Sequence, residues 1–91
     1  MSQSVEIPID GTLDLHTFRP RDVPSLVKDY LELCQEKGIT HVRIIHGKGK
    51  GVLRATVHNI LEKHPLVEGF HDAHDFSGWG ATVVYLSQRV T

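Results

Sequence analysis

The chain has 91 residues, 10 of them Lys or Arg and 11 Asp or Glu, for a formal charge of −1 with seven histidines counted as neutral. At 40% hydrophobic and 23% charged it is too apolar for a disordered chain, lacks the ~20-residue apolar run of a membrane helix, and has the size of one domain that folds without disulfide or metal. The near-zero charge also removes the simplest argument for a polyanion partner, a strongly basic balance, so any such site has to be local.

No basic segment followed by an apolar one opens the chain, and its single cysteine, Cys34, cannot form an internal disulfide. Both features lead to the expectation of a cytoplasmic protein with no membrane association. Residues 1–11 read as a lead-in and 12–91 as the folded domain. In Thr12-Leu13-Asp14-Leu15-His16, apolar and polar residues alternate, which predicts a strand with Asp14 and His16 on one face, roughly 7 Å apart. Val23, Leu26, Val27, Tyr30, Leu31 and Cys34 then fall on one helical face. Asp22 is the expected N-cap, Pro24 suits a first turn, and Gly38 stands where a left-handed stop is expected.

Val42 to Ile45 reads as a short buried strand that runs into His46-Gly47-Lys48-Gly49-Lys50-Gly51. A second helix follows, with Leu53, Val57, Ile60 and Leu61 on one face and Pro65 marking its end. Leu66 to Phe70 is expected as a third strand, Asp72 to Gly80 as a loop, and Ala81 to Leu86 as a fourth strand. The order β-α-β-α-β-β implies an α/β sandwich of two or three layers on a mixed, partly parallel four-stranded sheet. Its first two strands are parallel because a helix connects them.

Parallel strands end at one sheet edge, and open α/β sheets bind ligands beyond the carboxyl ends of their strands. Asp14, His16 and His46 are therefore expected at one rim. Residues 43–54 carry Arg43, Lys48, Lys50 and Arg54 with no acid, a local charge of +4. The glycines of the loop let backbone N–H groups approach an anion at a helix N-terminus, so Gly47, Lys48, Gly49, Lys50, Gly51 and Arg54 are the expected phosphate-binding residues. The loop alone is a weak signal. It has neither the spacing of a nucleotide P-loop nor GxGxxG, since Arg54 occupies the last position of the closest register. Together with an acid and two histidines at one edge, it favours a phosphodiester site.

Leu13-Asp14-Leu15-His16, the loop from His46 to Gly51 with Leu53-Arg54, and Gly78-Trp79-Gly80-Ala81-Thr82-Val83-Val84-Tyr85-Leu86 resemble, in order and spacing, the Smr (small MutS-related) domain over about residues 10–87. With no MutS portion, the chain looks like a stand-alone member. The resemblance implies the β-α-β-α-β-β fold, with nicking endonuclease or RNase activity in some members. It assigns cleavage or binding to Asp14, His16, His46, Gly47, Lys48 and Gly49. Thr17 departs from the pattern, because many members have a glycine there.

His16 is the expected general base, since an imidazole can take a proton near neutral pH, and Asp14 would orient it or hold a metal. Magnesium or manganese is the one cofactor this reading leaves open. The metal-binding residues are unassigned: His71-Asp72-Ala73-His74-Asp75 invites a metal reading, but a polar loop following a strand is the favoured account, since nothing fixes the required three or four ligands together. Trp79 is expected to pack and Cys34 to lie in the core. The expected partner is nucleic acid, DNA or RNA. A non-catalytic DNA- or RNA-binding module positioning other factors is the alternative, and a domain binding a protein or a small phosphorylated ligand is a third reading.

Overall fold

A computed structural model describes residues 8–47, 51–73 and 80–88. Strand β1 (Thr12–Asp14) leads through a short 3₁₀ turn at Pro20–Asp22 into helix α1 (Val23–Glu36), followed by β2 (His41–Ile45), α2 (Val52–Lys63), β3 (Val67–Asp72) and β4 (Ala81–Leu86). The sheet order is β1-β2-β4-β3. β1 pairs parallel with β2, and β4 runs antiparallel to both β2 and β3. Three strands therefore end at one edge, which holds Asp14, His46 and Asp72 together with the start of β4.

Both helices pack on the same face of the sheet, making two layers. Leu13, Leu15, Val42, Ile44, Val84 and Leu86 meet Val27, Leu31, Val57 and Leu61 in one apolar cluster, and each of these ten is 3% exposed or less. Alternation along each strand leaves Asp14, His41, Arg43 and Tyr85 on the other face. The α1 face is the one foreseen, with Val23, Val27, Tyr30, Leu31 and Cys34 buried. Tyr30 contributes more than packing. Its hydroxyl accepts from the Gly11 N–H at 3.1 Å and donates to the Thr12 carbonyl at 3.0 Å, which ties the start of β1 to α1.

Several expected boundaries move. β1 ends at Asp14 because the chain turns at once, with the Phe18 N–H on the Leu15 carbonyl at 3.0 Å. Leu15 still reaches the sheet through its N–H, 2.9 Å from the Ile45 carbonyl, and its side chain is fully buried. Thr17 holds this turn without a positive φ, so no glycine is required there. Asp22 stands before α1, but its side chain makes no capping bond to it. Its backbone is already helical (φ −90°, ψ −11°) as the last residue of the 3₁₀ turn, where a capping residue is normally extended. β3 runs two residues beyond Phe70, because His71 and Asp72 pair with Val83 and Thr82.

Candidate active site at the carboxyl edge of the sheet

The first component lies just beyond β1. Asp14 faces solvent by strand alternation, and the turn that follows brings His16 back onto it. The His16 Nδ1 lies 2.7 Å from Asp14 Oδ1, and the His16 backbone N–H donates to the same oxygen at 3.0 Å. These bonds from His16 hold the Asp14 carboxyl below its usual range, outweighing the small penalty of burial, so it is an anion at neutral pH. A carboxylate only accepts, so Nδ1 carries the proton and Nε2 is left as the basic nitrogen. With its side chain 73% exposed, the His16 ring is open to a substrate.

The second component is the loop after β2. The N–H groups of His46 and Gly47 both donate to the Gly80 carbonyl, at 3.0 and 2.8 Å, pinning the loop's start to the start of β4. Gly47 and Gly51 have φ of +82° and +81°, a left-handed conformation costly for any residue with a Cβ, and Gly51 opens α2. The first N–H groups of a helix have no carbonyl within it, so α2 presents donors at the end of the loop. Lys48, Gly49 and Lys50, expected to bind phosphate, lie outside the described residues, as do His74, Asp75 and Trp79.

His46 and His16 end at the same edge but on opposite faces of the sheet. His46 follows Val42 and Ile44 in alternation, so its ring turns under the helices and is only 6% exposed. Its Nδ1 lies 3.1 Å from the Gly47 carbonyl and its Nε2 2.9 Å from Thr82 Oγ1. The carbonyl only accepts, so Nδ1–H donates to it, and Nε2 accepts the Thr82 hydroxyl proton. The same hydroxyl then accepts from His58 Nε2–H at 3.0 Å. Burial pushes the His46 imidazole below its ordinary 6.5, chiefly by desolvation, which agrees with a neutral ring in this chain of bonds.

The chain of bonds continues to the base expected to bind phosphate. Arg54 makes a forked pair with Asp72, Nε to Oδ1 at 3.2 Å and Nη2 to Oδ2 at 2.5 Å, and His58 Nε2 stands 3.5 Å from Asp72 Oδ1. The Arg54 guanidinium is therefore already neutralised by a carboxylate, and it holds Asp72 below the usual carboxylate range. His58 was not singled out in the sequence, and the parts of Thr82 and Asp72 in this chain of bonds went unrecognised although both lay in stretches already noted. The available signals were the i, i+4 spacing of Arg54 and His58 on α2 and a Thr in an otherwise apolar strand. Cys34 lies in the core as expected, where burial raises its thiol.

The domain is thus an open α/β sheet with an exposed Asp–His pair and a glycine loop opening a helix at its carboxyl edge, the edge beyond which sheets of this kind bind ligands. The chain belongs to the Smr domain family, whose model matches residues 13–87. It is 39% identical over 82 residues to Endonuclease MutS2 of Caldicellulosiruptor saccharolyticus, covering 89% of this chain and 10% of that protein. It is 33% identical over 80 residues to Ribosome rescue factor SmrB of Aeromonas hydrophila, covering 87% of this chain and 46% of that one. The crystal structure of the Smr domain of Thermus thermophilus MutS2 superposes with a TM-score of 0.79 at 34% identity, covering 84% of this chain and 96% of that domain. The chain thus spans about a tenth of the MutS2 relative and under half of the SmrB relative. Among the described residues no helix is long and apolar enough to cross a membrane.

Proposed function

We propose that this domain binds nucleic acid at the carboxyl rim and cleaves a phosphodiester bond there, nicking DNA or cutting RNA. The observation that carries this reading is the exposed Asp14–His16 pair at 2.7 Å, one strand away from the glycine loop. Held by Asp14 in the tautomer with Nδ1 protonated, His16 uses Nε2 to take a proton from water or, on RNA, from the ribose 2′-hydroxyl. The Gly47–Gly51 loop and the first turn of α2, with Lys48 and Lys50, carry the charge that builds on the phosphate oxygens. His46 serves this chemistry as a positioning residue, because its bonds to Gly47 and Thr82 fix where the loop departs from the sheet.

Among the described residues no three His, Cys, Asp or Glu side chains gather to hold a metal ion, and no step here runs through one. The test is cleavage of supercoiled plasmid and of a structured RNA, with magnesium, manganese or EDTA. The wild type is expected to cut at least one polymer, and His16→Ala and Asp14→Asn to lose about a hundredfold or more in rate. Undiminished cleavage by both variants would overturn the assignment. Binding that survives both substitutions, with no cleavage by the wild type, would instead establish a non-catalytic module.

A further inference from the structure

The face of the sheet turned away from the helices carries a group of side chains that the rim does not use. His41 on β2 and Tyr85 on β4 are directly paired, with ring centroids 4.8 Å apart. On the other side His71 lies 5.5 Å from the Tyr85 ring, and its Nε2 is 2.8 Å from the Tyr85 hydroxyl. Next along the ladder comes Arg43, between Thr12 and Val83, and then the register of Asp14, Ile45 and Ala81. We infer that this face is a track for single-stranded nucleic acid, its bases resting on the His41–Tyr85–His71 rings and its backbone passing Arg43 toward the Asp14–His16 pair.

This inference rests on the phosphodiester reading above and names the form of substrate. The rings and the Asp14–His16 pair share a face because His41 and Ile45 are four residues apart on one strand, about 13 Å at a strand's rise. A few extended nucleotides span that distance. Among the described residues no helix covers this face, and its two exposed histidines and half-buried tyrosine offer the aromatic rings that, like guanidinium planes, unpaired bases stack on. Gly69 adds a steric argument. It pairs with Tyr85 from β3, and a Cβ built on it meets none of the described residues within 4 Å, so no side chain at this position fills the space beside Tyr85. A base-paired duplex keeps its bases stacked on one another and cannot use such a platform.

The experiment measures binding of oligouridine, oligothymidine and a duplex to the full chain and maps cross-links from 4-thiouridine and 4-thiothymidine. His41→Ala and Tyr85→Ala are expected to weaken single-strand binding about tenfold, with duplex binding unchanged and Tyr85→Phe close to wild type. Gly69→Val should weaken it as well by filling the space beside the ring. Cross-links should map to the peptides of β2 and β4, and buried Tyr30 is the internal control. His41 and Gly69 are peripheral enough to keep the test valid if Tyr85→Ala does not fold. Single-strand affinity unaltered by His41→Ala and Gly69→Val, or cross-links confined to α1 and α2, would overturn the track. Cleavage that persists through those changes would leave the Asp14–His16 reading intact, and cross-links on β4 without any cleavage would do the reverse.

Discussion

Asp14 Oδ1 receives two hydrogen bonds from one residue, His16, through its Nδ1–H and its backbone N–H. The backbone bond makes the pair a local turn that folds with β1, so the tautomer of His16 is set before any ligand arrives. Two groups that act as a unit lose their effects non-additively. The double variant Asp14→Asn/His16→Ala should therefore cleave no more slowly than His16→Ala alone, in single-turnover assays on whichever polymer is cut. Because both side chains are well exposed, unfolding free energies should change by no more than about 0.5 kcal/mol.

Gly47 and Gly51 bound the loop in left-handed conformations, and a Cβ at either would meet none of the described residues within 4 Å. A substitution there pays for backbone conformation and not for a clash. Gly47→Ala and Gly51→Ala should each cost about 1–2 kcal/mol in urea unfolding. The loop should also be misplaced, so phosphate-dependent binding should fall in both, whereas Ser25→Ala at an exposed, unstrained position should change neither.

Thr82 is fully buried and serves two histidines with one hydroxyl, donating to His46 and accepting from His58. Thr82→Val preserves the shape, leaves the buried His46 Nε2 unpaired and takes from half-buried His58 its 3.0 Å acceptor, so it should destabilise the fold by about 1–3 kcal/mol. Thr82→Ser, which keeps the hydroxyl, should recover most of that loss in the same denaturation experiment.

The folded state holds the His46 imidazole below its ordinary 6.5, so the unfolded chain takes up that proton more readily. The stability His46 contributes is complete above 6.5 and is lost as pH falls through the folded value. The lowered carboxyls of Asp14 and Asp72 act in the same direction, but only from their ordinary 3.8 downward. Melting temperatures recorded from neutral pH toward pH 5 should show an acid loss that is shallower in His46→Asn, with the two curves parallel above about 7.

Asp72 occupies the guanidinium that the sequence offered to phosphate. Arg54→Ala should then change the salt dependence of nucleic-acid binding very little. Asp72→Asn should release Arg54, raise affinity at low salt, and steepen the slope of log K against log salt by up to about 0.9, the increment for one added phosphate contact. Equal salt slopes in the wild type and Asp72→Asn would show that Arg54 reaches phosphate despite the pair.

Local patterns in the sequence were enough to place both helices, four strands, the buried faces and the glycine loop, because periodicity and turn residues act over a few positions. That Asp14 and His16 are neighbours was legible for the same reason, but the sequence set them about 7 Å apart on one strand face, and their direct bond comes from the turn that follows Asp14. What the sequence left undetermined were contacts across the sheet. His46 and His16 share an edge, but strand alternation sends one under the helices and the other into solvent. The His46–Thr82–His58 chain of bonds joins residues 36 and 24 positions apart, and the Arg54–Asp72 pair closes only because β3 lies under α2. The charge of −1 divides in the same way. The sequence locates four bases around one loop, and the tertiary structure pairs Arg54 among them with an acid from another strand while arranging the aromatic rings on a face that no local pattern distinguishes.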